Sequence, residues 1–492
     1  MIAMNKILLP NGIEAVEAEY ITSPIEEYNN NPFIQSLPPL IDKESIVRKL
    51  LLNQPFDVEE RKLDGSIRGH IIKRLYKVFQ PLPIHVKIWN MIDSLIRQGY
   101  ISRNPFNKDY RGIISRNGDK TNERVFTLNR STSFTTTASC GLISGYSGMG
   151  KTTTVNRCLS HIPQVICHNY YNNTHFNQMQ LTWLRLEAPT SLKSLALQFF
   201  MKVDSILGTD NLNRYISKNL STDALLSLMG TVSCNIGLGL IIIDEFQNLN
   251  RNGVSQIMNF LVSLINSCGV SLIFIGTPAC YDIFSKELRI ARRITGNGEV
   301  IWNNMSNDQE FKLLLKAIWR YQWTRKPVEL SEEMIDLFYD CTQGILDLVL
   351  KLFVNSMKRA IDTGIEQITK AIVINVCEEE FKFTQPIVQA IKSGNIYKMN
   401  DYEDIRRIET IRSMSNSSNK KGRGDSEVKH TVNIIEKEPN KIKRRIKIQD
   451  LAEDDLRRVV SDGISQGKSE YDILNEKGYI DNMDFFRLGV GL

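Results

Sequence analysis

Between residues 145 and 152 the chain reads Gly145-Tyr146-Ser147-Gly148-Met149-Gly150-Lys151-Thr152, three glycines ahead of a cation and a hydroxyl, with Thr153 following. Bare glycines let backbone N–H groups wrap phosphate oxygens. Lys151 would neutralise the outer phosphates, and the Thr152 hydroxyl would ligate Mg2+ at a helix N-terminus. The apolar run "CGLIS" precedes this loop and "TTTVNRCLSHI" can carry a helix after it, the strand–loop–helix setting that such chemistry needs.

A loop that holds phosphates does not position a metal or activate water, so a second, carboxylate-bearing strand is required. "LGLIIIDEFQNL" supplies it. Four apolar residues, Leu240 to Ile243, read as a buried strand, and Asp244 and Glu245 emerge at its end. Asp244 would hold Mg2+ through water and Glu245 would polarise the attacking water as general base. The next strand, "VSLIFIG", ends at Thr277, which either contacts the last phosphate or lytic water or merely makes a turn. Beyond it, "ELRIARRITGNGEVIW" carries Arg289, Arg292 and Arg293. Either Arg292 or Arg293 reaches across to a neighbouring subunit's nucleotide as a finger, or all three are surface or DNA-facing charge.

These residues need a frame. From about 125 to 303, short β-rich runs ("CGLIS", "QVICH", "LTWLRLE", "LGLIIID", "VSLIFIG", "GEVIW") alternate with helical patterns, which predicts a parallel sheet covered on both faces. Residues 304–399 turn helical throughout and predict a lid. Residues 1–124 read as an N-terminal extension and small subdomain: the first 60 or so are irregular and proline-punctuated, and Ile88, Met91, Ile92, Leu95 and Ile96 follow helical spacing. Residues 400–447 form a polar linker with ten Lys/Arg and four Asp/Glu between Lys420 and Lys447, enough to account for the whole +6 net charge. Such a tether suits a phosphate backbone or an acidic partner. Residues 448–492 make a short C-terminal module.

At 492 residues and 42% hydrophobic, the chain can bury a large core. No run approaches the ~18–20 apolar residues of a membrane span, and acids occupy the N-terminus where a secretory signal would need an apolar core. Cytoplasmic location is expected. Eight scattered cysteines form no Cys-x-x-Cys pair, which argues against a disulfide framework or zinc knuckle. Cys167, His168 and His175 cluster without metal-ligand spacing.

Phosphate loop, Asp-Glu strand, polar-ended strand, arginine segment and helical lid, in this order, resemble the AAA+ ATPases. More specifically, "NPFIQSLPPL", "SGYSGMGKTT", "IIIDEFQNL", "IGTPACYDIF", "LRIARRITG" and "TQGILDLVLKLF" resemble the TnsC family, AAA+ target-selection regulators of Tn-seven-like transposons, over roughly residues 31–390. The resemblance implies an ATP- and Mg2+-dependent ATPase that assembles with itself on double-stranded DNA as a hexamer-like or heptamer-like ring or a filament. It also implies partners: a TnsD/TniQ-type or TnsE targeting protein, and the transposase subunits TnsA and TnsB, recruited by residues from about 400 onward. Walker A roles carry to Gly145, Gly148, Gly150, Lys151 and Thr152, Walker B roles to Asp244 and Glu245, and the sensor 1 role to Thr277. In the segment "NLNRYISKNLST", Arg214 and Lys218 either track DNA phosphates or are ordinary exposed charge. Where many AAA+ lids carry a sensing arginine, this chain has Asp347, with Lys351 one turn on. No acidic triad is organised as a nuclease or integrase site. The rival expectations are a replication initiator or helicase loader, which needs a duplex-reading module, and a signalling NTPase, which needs a repeat-built sensor.

Overall fold

A computed structural model describes residues 5–108, 110–112, 136–216, 221–249, 254–284 and 298–405, all within one unit that ends at Gly422. Arg289, Arg292, Arg293, Lys218 and the expected C-terminal module lie outside the described residues, as does most of the basic linker.

Nine strands are described: β1 (Lys6–Leu8), β2 (Glu14–Glu17), β3 (Cys140–Gly145), β4 (Val165–Tyr171), β5 (Thr174–Leu181), β6 (Trp183–Glu187), β7 (Leu240–Asp244), β8 (Ser271–Gly276) and β9 (Glu299–Trp302). The central sheet has the order β6-β7-β8-β3-β9, and every pairing in it is parallel. Its strands are apolar on both faces, as a sheet covered on both sides requires. Side chains divide with period two: Leu240, Ile242, Ile273 and Ile275 enter one core, while Ile241, Ile243, Leu272 and Phe274 enter the other.

The first core is covered by α1 (Pro83–Ile101) and α2 (Lys151–Leu159). The second is covered by α3 (Leu192–Leu207), α4 (Thr222–Asn235) and α5 (Val254–Cys268). α3 and α4 start where sequence chemistry says they should: the Ser191 side chain accepts from the Ser194 N–H and that of Ser221 from the Ala224 N–H. The expected helical region follows as α6 (Gln309–Trp319), α7 (Glu332–Thr342), α8 (Leu346–Asp362) and α9 (Lys370–Glu380), with the Trp319 and Phe353 rings stacked at 4.9 Å between centroids.

Two expectations are corrected. "QVICH" does not join the parallel sheet. It forms β4 of a separate sheet ordered β1-β2-β4-β5, and an Asn172-Asn173 turn with positive φ at both residues returns the chain as β5. That pair of φ values suits the right-handed twist of a tight hairpin. Nor are the first 60 residues wholly irregular: β1 and β2 pair antiparallel, β2 lies parallel to β4, and a helix spans Lys43–Leu50.

The segment expected as an N-terminal extension divides its contacts. α1 packs on the central sheet, whereas residues 60–77 pack on the helical region. There Arg68, 1% exposed, donates to both carboxylate oxygens of Glu366 (2.7 and 2.6 Å) and to the carbonyls of Leu63 and Trp323. The Arg68 hydrogen bonds hold the Glu366 carboxyl below the usual carboxylate range against the opposing effect of burial. Its contribution is therefore present above the ordinary glutamate pKa and is lost as pH falls through the depressed folded value. Replacing Glu366 by alanine leaves a buried guanidinium without its counter-charge and is expected to cost about 3 kcal/mol. Urea denaturation at neutral pH reads this directly, and the gap between variant and parent should close as the pH is taken well below 4.5, the ordinary glutamate value.

Candidate functional site

The strand order builds the site. β8 lies between β3 and β7, so the loop after β3, the acids ending β7 and the residue after β8 meet at the C-terminal ends of these parallel strands. A cavity of about 650 Å3 opens there, with Lys151, Thr152, Glu245 and Thr277 among its walls. That volume suits a nucleotide-sized ligand.

The loop glycines have separate physical jobs. Gly145 ends β3 opposite Trp302 of β9, where a Cβ would sit 2.1 Å from the Trp302 carbonyl oxygen, so this glycine is required by strand packing. Gly150 has φ +83 and is the N-cap of α2, with no side-chain cap hydrogen bond. α2 thus starts without the serine caps of α3 and α4, leaving first-turn N–H groups for an anion. Tyr146 and Met149 are buried in the first core, so they serve the cavity through backbone; Ser147 and Thr153 are exposed beside it.

Lys151 donates to the carbonyl oxygens of Gly145 and Tyr146, both at 2.8 Å. Burial pushes its ammonium below the usual lysine range, and the Glu245 carboxylate opposes that shift. The Thr152 hydroxyl donates to Asp244 Oδ2 at 2.8 Å. Asp244 is only 1% exposed, and its Oδ1 accepts from the Glu245 N–H. A hydroxyl beside a carboxylate is a hard-oxygen donor pair of the kind Mg2+ takes together with phosphate oxygens.

Glu245 sits at φ +54, an uncommon backbone for a non-glycine residue, and its side chain is exposed to the cavity. Thr277 is 4% exposed and its hydroxyl has no hydrogen-bond partner among the described residues. Asp347 also lines the cavity; its N–H donates to the Gly148 carbonyl, and its carboxylate pairs with Lys351 at 2.6 Å. Arg214 lies apart from this group, exposed on a short helix, Asn211–Ile216.

Several participants carried no assigned role in the sequence. Arg185 of β6 donates to Asp244 Oδ2 at 2.7 Å and to Asn156 of α2. Its signal is a lone cation between the apolar residues Leu184 and Leu186 of a strand that ends at Glu187. The far wall is apolar and comes from distant sequence: Val78, Phe79 and Leu82 with Ile318 and Val349. There His85 is neutral, its pKa lowered to about 3 by burial, and Nδ1 accepts from the Leu82 N–H. The cavity thus has a polar end, where Lys151 faces acidic side chains, and an apolar end. His168, by contrast, is no metal ligand: both ring nitrogens are taken, by Tyr20 and Gln180, and it is buried.

The two glycine roles are separable by experiment. Gly145→Ala should cost about 3 kcal/mol because backbone must move, whereas Gly150→Ala, with no atom within 4 Å of its Cβ, should cost only about 1 kcal/mol of backbone strain. Denaturant midpoints of the two variants against the parent check the order.

A search of curated proteins finds no match. Among solved structures, the chain is similar to the ORC1 protein of Aeropyrum pernix in complex with DNA (14% identity, 60% of this chain and 72% of that one, TM-score 0.34). It is similar also to Cdc6p from Pyrobaculum aerophilum (14%, 46% and 57%, TM-score 0.33) and to Drosophila ORC bound to DNA (13%, 66% and 79%, TM-score 0.33). The chain spans little more than half of the Pyrobaculum protein, 57% of its length. Residues 135–284 match the family model described as AAA domain. This stretch holds the phosphate loop, the Asp244-Glu245 strand and Thr277, and the parallel sheet built around it has the AAA+ phosphate-loop fold.

Proposed function

We propose that the protein is an ATPase that binds MgATP in this cavity and hydrolyses it. One observation carries the reading: the hydroxyl of Thr152, which lines a cavity with Lys151 and Glu245, is hydrogen-bonded at 2.8 Å to the buried Asp244 carboxylate. Phosphate oxygens fit the loop N–H groups and Lys151, which would exchange its two carbonyl partners for them. The apolar wall from Val78 to Val349 fits a nucleobase. Thr152 and Asp244 would hold Mg2+, which when bound supplies positive charge to the phosphates. Glu245 accepts a proton from water as the water oxygen bonds to the terminal phosphorus and the bridging P–O bond breaks, releasing ADP. Thr277 would hold that water or the terminal phosphate.

The finer reading rests on the sequence resemblance to TnsC-type regulators. In it, ATP binding at a subunit interface, completed by Arg292 or Arg293 of a neighbour, permits assembly on duplex DNA along Arg214 and Lys218. Residues beyond about 400 then engage TnsA and TnsB, a TnsD/TniQ-type protein selects the target, and hydrolysis dismantles assemblies that lack one.

Lys151→Ala should abolish binding of a fluorescent ATP analogue, and Glu245→Gln should keep binding while losing about a hundredfold or more in turnover. Turnover that survives both substitutions overturns the ATPase reading. Electron microscopy on duplex DNA with a slowly hydrolysed ATP analogue, against ADP, tests assembly. Activation of a TnsA–TnsB pair, lost on truncation at Asn400 with ATPase intact, tests the regulator reading; stimulation of helicase loading instead would favour the replication-initiator alternative.

A further inference from the structure

Glu245 is the residue on which the proposed hydrolysis turns, yet its own backbone does little to aim it. It lies in the left-handed region at φ +54, immediately after β7, with an exposed side chain. What touches its carboxylate is Gln247: Nε2 donates to Glu245 Oε2 at 2.5 Å. The other end of the same amide faces β8. Gln247 Oε1 accepts from the Thr277 N–H at 3.1 Å and from the Cys280 thiol at 3.9 Å. Burial pushes that thiol up to about 12, so Cys280 keeps its proton and remains a donor.

The polarity of this arrangement fixes the amide. Two donors surround Oε1 and a carboxylate faces Nε2, so no other side chain of similar size satisfies both ends. A glutamate would keep the acceptor for Thr277 but set like charges against each other at Glu245. A methionine would fill the volume and satisfy neither end.

We propose that Gln247 is a positioning residue, which aims the Glu245 carboxylate at the terminal phosphate and ties its direction to the Thr277 end of β8. This inference rests on the ATPase reading above. Through the tie, a phosphate that moves the Thr277 backbone also moves the general base, so Glu245 is placed when the cavity holds a triphosphate.

The test compares Gln247→Glu and Gln247→Met in the full chain, with Glu245→Gln as reference. Both variants should bind a fluorescent ATP analogue within twofold of the parent, and both should keep KM within about threefold while kcat falls tenfold or more. The order between them is diagnostic. Gln247→Glu, which keeps the acceptor for Thr277, should melt closer to the parent than Gln247→Met yet turn over more slowly, because it repels the base. If Gln247 served only packing, stability and kcat would fall together and the glutamate variant would be the better enzyme; that result overturns the proposal, as does kcat within twofold of the parent in both. Should either variant fail to fold, as judged by circular dichroism, kcat of the other against the parent decides alone. A parent that binds ATP but does not hydrolyse it, with or without DNA, overturns the ATPase reading and this proposal with it. A parent that hydrolyses, a Glu245→Gln that does not, and two unimpaired Gln247 variants overturn this proposal only.

Discussion

A single hydrogen bond from the Thr152 hydroxyl to the Asp244 carboxylate joins residues 92 positions apart and sets the distance between the phosphate loop and the acidic strand. It exists because the sheet interposes β8 between β3 and β7. Were the two strands direct neighbours, there would be no Thr277 between them and less width for a phosphate chain. The same carboxylate, almost fully buried, also takes the Arg185 guanidinium. A buried anion is costly unless paired and hydrogen-bonded, and here a hydroxyl, a backbone N–H and an arginine together satisfy it. Loop, acid and outer strand are therefore locked through one side chain.

The chain's outer parts are held by buried arginines as much as by apolar packing. Arg68 bridges residues 63 and 323 through carbonyls besides pairing with Glu366. Arg97 joins Asp93 to the carbonyl of Pro38, and Arg103 reaches the carbonyls of Gly99 and Leu238 while lying over the Tyr100 ring. The guanidinium's fork of donors makes this possible: one side chain satisfies carbonyls on segments that share no regular hydrogen-bond ladder. α1 is thereby fastened to the sheet at its C-terminal end, and its N-terminal end forms a wall of the cavity through Leu82 and His85.

How much of this was legible follows from range. The phosphate loop, the Asp244-Glu245 strand and Thr277 are local signals, each a run of apolar residues with polar chemistry at its end; Lys151, Thr152, Glu245 and Thr277 line one cavity, and Asp244 is joined to it through Thr152. Periodicity also revealed α1 through Ile88, Met91, Ile92, Leu95 and Ile96. It could not reveal that α1 covers the central sheet, because an amphipathic stripe does not name its partner. "QVICH" shows the same limit: an apolar run says strand but not which sheet, and the Asn172-Asn173 turn pairs it with β5 instead. β1 and β2 are too short and too exposed to announce themselves and exist because β4 offers an edge. The apolar wall of the cavity, assembled from residues near 80, 318 and 349, has no contiguous sequence signature at all.

The contact between Gly148 and the helical region reaches further than its size suggests. The Gly148 carbonyl accepts from the Asp347 N–H at 3.0 Å, and a Cβ on Gly148 would touch Ile345 and Asp347. This is backbone bound to backbone, so it does not depend on the Asp347 carboxylate, but a Cβ at Gly148 would have to push Ile345 and Asp347 aside. The phosphate loop is consequently not a module of the sheet alone: one of its carbonyls is completed by the first turn of α8, some two hundred residues later in the chain. A fragment cut after β9 would keep every residue of the nucleotide motifs and still lose the partner of the Gly148 carbonyl, leaving that oxygen to solvent. The smallest piece of this protein that keeps the loop's contacts as they stand therefore reaches at least into the first turn of α8.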